Sequence, residues 1–133
     1  MGMGLLPPSI ALAEEPDPFQ ATSVDAVLRA LGVAGAEPSD EIKIVAPKVA
    51  ENGASVPVGI TSSITETTEI ITIVAANPKP LAARNRFGKG AAASVESRIK
   101  MGRTTELIAV VKAGGRYYMA RTVVKVTVGG CGG

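Results

Sequence analysis

The sequence predicts an all-β fold: an immunoglobulin-like antiparallel β-sandwich of about seven strands, with a short N-terminal helix and a flexible C-terminal arm. From residue 42 onward, apolar and polar residues alternate in short runs separated by turn residues, which is typical of half-buried strands. About seven such runs favour a sandwich, and a small barrel is the alternative. A composition of 46% hydrophobic and 20% charged residues indicates a folded chain.

A short helix is predicted over residues 22–31. Its apolar residues recur at the spacing that lines one helical face, and they are Val24, Val27, Leu28 and Leu31. Thr22 or Ser23 can cap its start, and Gly32 ends it. We interpret residues 33–41 as a connection without an element of its own.

The first predicted strand covers residues 42–46. Asn52-Gly53 follows it, and we expect this pair to take the positive φ angles of a tight turn. Residues 55–64 then alternate as a second strand. Pro57 lacks a backbone donor, so that strand, or at least that end of it, should lie at a sheet edge.

The remaining strands follow in order. Residues 70–74 form a dense apolar run typical of a central strand, and the prolines of 77–80 end it. Further runs, at 81–87 and 93–101, flank a glycine turn. The last two strands, 105–113 and 116–128, are joined across Gly114-Gly115, which suits a hairpin.

The final strand has an apolar second face. One face should meet the core through Tyr118, Ala120, Val124, Val126 and Val128. On the other face, Tyr117, Met119 and Val123 form an apolar stripe. This stripe is a candidate partner interface, or alternatively it is covered by a loop or the N-terminal helix.

Several function classes are excluded or disfavoured by composition. The chain has no histidine, which excludes a Ser-His-Asp or Cys-His enzyme, and no spacing of acidic residues suggests a metal site. A formal charge of +2 and only four aromatic residues give little support for nucleic-acid binding. No apolar run reaches the length of about 20 residues that a membrane span requires.

Three segments are expected along the chain. Residues 1–13 are apolar and end in an Ala-x-Ala pattern at Ala11 and Ala13, which resembles part of a secretory signal. Residues 14–128 form the sandwich domain with its helix. Residues 129–133 form the arm.

The arm carries a single cysteine, Cys131, between Gly129, Gly130, Gly132 and Gly133. Glycines bury no side chain and have wide backbone freedom, so we expect the arm to be flexible and its thiol to be exposed. No fixed positive charge is evident beside the thiol, so we do not expect the chain to activate it. A slim arm of this kind suits presentation of the cysteine to the active sites of other proteins.

Four motifs carry a resemblance to a known family: a highly specific terminal motif at 125–133, with support from 50–58, 77–80 and 97–99. Over residues 14–133 the chain resembles the SoxY family of thiosulfate-oxidation carrier proteins. The resemblance implies a periplasmic protein with an immunoglobulin-like sandwich. The family's twin-arginine export motif has no counterpart here, because no arginine pair precedes the apolar stretch.

The resemblance also implies the protein's chemistry and its partners. Cys131 would carry sulfur intermediates covalently, with no cofactor besides that adduct and no catalytic residue of its own. A SoxZ-like subunit would form a heterodimer or higher oligomer with the chain. A SoxAX cytochrome, SoxB and a sulfane dehydrogenase would act on it transiently.

Two alternatives belong to other classes. In a ubiquitin-like sulfur carrier, the C-terminal Gly-Gly carboxylate would hold the sulfur, and Cys131 would not be needed. In a structural sandwich protein, Cys131 would form only an intermolecular disulfide.

Overall fold

The computed structural model describes residues 16–127, which form two packed β-sheets and one helix. After a 3-10 turn at Pro18–Gln20, the helix α1 covers Val24–Leu31. The strands are β1 Glu37–Pro38, β2 Ile42–Val45, β3 Val49–Ala50, β4 Val56–Ser62, β5 Thr67–Val74, β6 Leu81–Arg86, β7 Ala93–Ile99, β8 Thr105–Ala113 and β9 Arg116–Val126. Seven of these strands have four or more residues, so the predicted immunoglobulin-like sandwich is confirmed.

The larger sheet has the strand order β1-β9-β8-β5-β6, and β3 also pairs with β9. The smaller sheet has the order β2-β4-β7. Apolar residues of the two inner faces pack together into the main core, where Val56, Ile70, Leu107 and Val124 are fully buried. Burial of this apolar surface is what holds the two sheets face to face.

The helix covers the outer face of the larger sheet. Val27 of α1 is fully buried against that face, in a second apolar cluster that includes Ile71, Ile73 and Val110. β5 is therefore buried on both faces, between the smaller sheet and the helix. This explains the dense apolar run over 70–74, which identified β5 correctly as a central strand.

The helix begins at Val24, two residues later than in the predicted range 22–31, and ends at Leu31 as predicted. Ser23 is the N-cap, because its hydroxyl accepts a hydrogen bond of 3.1 Å from the Ala26 N–H. Gly32 is the C-cap. Of the two residues proposed for the cap, Ser23 takes the position.

The edge of β9 is protected by two short strands that the sequence did not predict. β1 pairs in parallel with Tyr118 and Met119, so the prediction that residues 33–41 contain no element is wrong. β3 pairs in parallel with Lys125 and Val126. Strands of two residues carry no periodic signal, and they form here because the chain follows the β9 edge before and after β2.

The prediction for Asn52-Gly53 was wrong. Neither residue has a positive φ; instead, Asn52 Oδ1 accepts a hydrogen bond of 3.0 Å from the Ala54 N–H. Gly53 is needed for close approach, since a Cβ there would collide with the Met101 carbonyl oxygen and lie 3.0 Å from Val126 Cγ1. The pattern indicated a turn but gave the wrong reason for the glycine.

Two other local predictions, a hairpin turn and a strand edge, are confirmed. Gly114 and Gly115 have φ angles of 57° and 78° and join β8 to β9 as a tight hairpin. Pro57 lies in β4, the central strand of the smaller sheet, but at a point where only β7 pairs with it. That end of β4 is therefore an edge, as expected from the missing donor.

Candidate functional site

The predicted carrier residue and its glycines lie outside the described residues. Cys131, Gly129, Gly130, Gly132 and Gly133 follow Thr127, the last residue that the structure describes. The expected flexibility of 129–133 stays a prediction, as do the boundaries at 13 and 128. What the structure does describe is the end of β9, the base from which the C-terminal segment continues.

One side of this base is held by β3. The Lys125 N–H donates to the Lys48 carbonyl at 2.9 Å, and the Thr127 N–H donates to the Ala50 carbonyl at 3.1 Å. Ala50 is buried at the same point. The backbone is therefore fixed up to residue 127, because hydrogen-bonded strand ends with a buried neighbour resist fraying.

The other side is held by the loop between β7 and β8. The Val126 N–H donates to Thr104 Oγ1 at 3.0 Å, and the Val126 side chain is buried. The Met101 N–H donates to the Gly53 carbonyl at 2.7 Å, which brings the 50–55 loop to the same place. The base of the C-terminal segment is thus enclosed by two loops.

Asn77 ties a third loop to this end of the sandwich. Its Nδ2 donates to the Lys100 carbonyl at 2.8 Å, and its Oδ1 accepts from the Gly102 N–H at 3.2 Å. The motifs at 50–58 and 77–80 therefore have a physical role: they hold the loops that fix the end of β9.

This arrangement limits where the thiol can go. Cys131 lies four residues beyond Thr127, and an extended chain spans about 3.3–3.6 Å per residue. The Cys131 Cα therefore stays within about 14 Å of the Thr127 Cα in any conformation.

The apolar stripe on β9 is divided by the structure. Tyr117 and Met119 are half-buried and pack against the apolar cluster that includes Val27 of α1. Val123 lies beyond the helix and is 60% exposed. A partner interface formed by these three residues stays a prediction, and Val123 is the most accessible of them.

The described residues offer little to a metal ion. Within residues 16–127, no group of three or more His, Cys, Asp or Glu side chains is placed to hold one. No helix in that part of the chain is long and apolar enough to cross a membrane.

Comparison with known proteins assigns the family. The family model for sulfur oxidation protein SoxY matches residues 28–131, a span that includes both the loops around the base and Cys131. The chain belongs to the SoxY family. The sulfur carrier protein SoxY from Chlorobium limicola f thiosulfatophilum has a similar structure, with a TM-score of 0.71 and 38% identity over 78% of this chain and 94% of that one. The predicted family is confirmed.

More distant similarity is limited to the fold. A superoxide reductase (neelaredoxin) from Ignicoccus hospitalis shares the architecture with a TM-score of 0.58, but is only 19% identical over 79% of this chain and 93% of that one. Among curated proteins, no sequence matches this SoxY chain. Membership of the SoxY family assigns the chain to sulfur oxidation.

Sequence reasoning found the terminal cysteine and missed the contacts that hold its base. Pairing of β3 with the end of β9 has no periodic signal, but the glycine of 50–58 marked a close approach that could have been considered. It also missed a group of exposed basic residues around the base, because they come from three separate segments of the chain.

Proposed function

We propose that this chain is a sulfur carrier in thiosulfate oxidation, and that the Cys131 thiol holds the sulfur covalently. The observation that carries the proposal is the extent of the family match, which ends at residue 131 and so includes the cysteine. The similar Chlorobium protein is itself a sulfur carrier. The chain's own side chains supply no histidine to activate a nucleophile, which suits a substrate protein better than a catalyst.

Loading would be an oxidation. The Cys131 thiol loses a proton, its sulfur bonds to the outer sulfur of thiosulfate, and two electrons leave one at a time through the haem iron of a SoxAX cytochrome to an electron-accepting cytochrome. The product is a cysteine S-thiosulfonate. Because the thiolate is the reactive form of cysteine, the step requires a thiol that is accessible to solvent and to the partner enzyme.

Unloading would occur in two stages. SoxB would add water across the bond between the sulfane sulfur and the sulfone, releasing sulfate and leaving a persulfide on Cys131. A sulfane dehydrogenase, where one is present, would oxidise the remaining sulfur further. Throughout, this chain contributes an attachment point on a short segment, and the partners supply redox and hydrolytic groups.

The fixed base of the segment supports this division of work. Hydrogen bonds from Lys125, Val126 and Thr127 hold the chain up to residue 127. A partner enzyme can therefore bind the sandwich while the last residues enter the active-site cleft of that enzyme. We propose a SoxZ-like subunit as the stable partner, with Val123 in the contact, and a periplasmic location.

The experiment is covalent loading followed by intact mass. The chain is purified with its SoxZ-like subunit and incubated with thiosulfate and the SoxAX cytochrome, with the Cys131→Ser variant as the control. The proposal predicts a mass increase of one thiosulfonate group on the wild-type chain, lost on reduction, and none on the variant. Equal loading of the Ser variant would disprove attachment at Cys131.

The two alternative functions predict other outcomes. A ubiquitin-like carrier would be modified at the Gly133 carboxylate, and the sandwich fold disfavours it because such carriers wrap a small sheet around one helix. A structural protein would give only a reducible homodimer. Sulfane sulfur on the monomeric chain separates the carrier from both.

A further inference from the structure

Four exposed basic residues lie on the chain segments that hold the base of the C-terminal segment. Lys125 lies on β9 itself, and Lys48 precedes β3, with the Lys125 N–H bonded to the Lys48 carbonyl. Arg103 is adjacent to Thr104, whose hydroxyl accepts from the Val126 N–H. Lys100 precedes Met101, whose N–H donates to Gly53. We call Lys48, Lys100, Arg103 and Lys125 the basic collar.

The collar is not neutralised by its surroundings. All four side chains are exposed, and none of them forms an ion pair within residues 16–127. Two carboxylates lie three positions from a collar residue: Glu51, which follows β3, and Glu106 at the start of β8, which is paired with Arg121 at 3.5 Å. The collar contributes four positive charges, and Glu51 contributes one unpaired negative charge. This end of the sandwich therefore has a local excess of positive charge.

We propose that the basic collar attracts sulfur oxyanions to the Cys131 thiol, both free thiosulfate and the anionic group carried on the cysteine. The inference rests on the proposed carrier function, and it adds an electrostatic role for described residues that carry no sulfur themselves.

The short distance that the C-terminal segment can span and the positive charge of the collar support this proposal. The Cys131 Cα is confined to within about 14 Å of the Thr127 Cα, which is close to all three segments of the collar. At a separation of about 10 Å in water of low ionic strength, one cation raises the local concentration of a dianion about two- to threefold. Several cations multiply this effect, and salt at about 1 M removes it, because the Debye length falls to about 3 Å.

The test compares two thiol reagents on the intact chain. Dithionitrobenzoate is a dianion, whereas dithiodipyridine is neutral. In both reactions the Cys131 thiolate attacks the reagent's disulfide, forms a mixed disulfide and releases one coloured thiolate or thione. The ratio of the two rate constants reports attraction of the anion, since both reactions depend equally on the fraction of thiolate.

The test variant is Lys125→Gln combined with Arg103→Gln. The matched control is Lys89→Gln combined with Arg116→Gln, which removes the same charge from the opposite end of the sandwich, with Arg116 ten residues before Val126 in β9. At about 10 mM ionic strength the ratio should fall about four- to ninefold in the test variant, and by less than twofold in the control. Both variants should melt like the wild-type chain.

Salt provides the second measurement. For the wild-type chain the ratio should fall as ionic strength rises, and should converge with that of the test variant at about 1 M salt. An unchanged ratio in the test variant, or an equal fall in the control, would overturn the collar. Either result would leave the proposed function standing, since that depends separately on loading of Cys131 by thiosulfate.

Discussion

Gly53→Ala tests the packing that fixes the base of the C-terminal segment. The added Cβ would collide with the Met101 carbonyl oxygen, a backbone atom that cannot turn aside, and would lie 3.0 Å from Val126 Cγ1. Forcing one carbon into a packed site costs about 1–3 kcal/mol. The shift would also weaken the hydrogen bond from the Met101 N–H to the Gly53 carbonyl, worth about 0.5–1.5 kcal/mol.

The expected loss is therefore about 1.5–4.5 kcal/mol in the free energy of unfolding. The assay is urea denaturation, with Cys131→Ser present in every protein so that disulfide dimers do not interfere. Gly88→Ala is the matched control, because a Cβ at Gly88 meets no atom within 4 Å and its φ is not positive. The control should lie within about 1 kcal/mol of its parent. If Gly53→Ala is as stable as Gly88→Ala, the close contact between these loops is not present.

Other substitutions test the helix, a buried ion pair and the exposed part of β9. Ser23→Ala should cost about 1 kcal/mol by urea denaturation, and Thr22→Ala much less, because the Ser23 hydroxyl caps the helix. Arg84→Met should cost about 2–3 kcal/mol, since Glu69 is buried and loses its partner at 2.7 Å, and adding Glu69→Gln should restore most of the loss. Val123→Glu should leave the melting temperature within about 2 °C of the parent, since exposed sites tolerate substitution, yet weaken copurification of a SoxZ-like subunit. Undiminished copurification would remove Val123 from the interface.

The sequence was sufficient to locate the helix and the strands whose apolar residues recur with a clear period. The helix was located by four apolar residues at helical spacing, and β8 and β9 by alternation on either side of Gly114-Gly115. β5 stood out because it is buried on both faces. In each case many residues carry the same signal, so the period survives a few exceptions.

The parts that were missed depend on single contacts between distant segments. The two-residue strands β1 and β3 are too short for any period to show. Gly53 was assigned to a turn because Asn-Gly is a strong local signal, whereas its role is to admit Met101, which is 48 positions away. The partial burial of Tyr117 and Met119 likewise depends on where α1 packs. The sequence left open whether these residues meet a partner or lie beneath another part of the chain.

For the candidate site, the sequence showed which residue types are present but did not show how they are arranged in space. A terminal cysteine among glycines is visible in the sequence, and so is its fit to the family motif. The loops that fix its base, and the basic collar drawn from three of the chain's segments, emerge only when the fold brings them together. The loops hold the end of β9, from which the terminal motif continues.

The central claim is that Cys131 carries sulfur that partner enzymes add and remove. The most direct measurement is the intact mass of this chain, copurified with a SoxZ-like subunit, before and after thiosulfate with the SoxAX cytochrome, and again after SoxB. The account predicts addition of one thiosulfonate, then loss of its sulfone to leave one sulfur atom, both absent in Cys131→Ser. A chain whose mass does not change, or a Ser variant that is loaded equally, would contradict it.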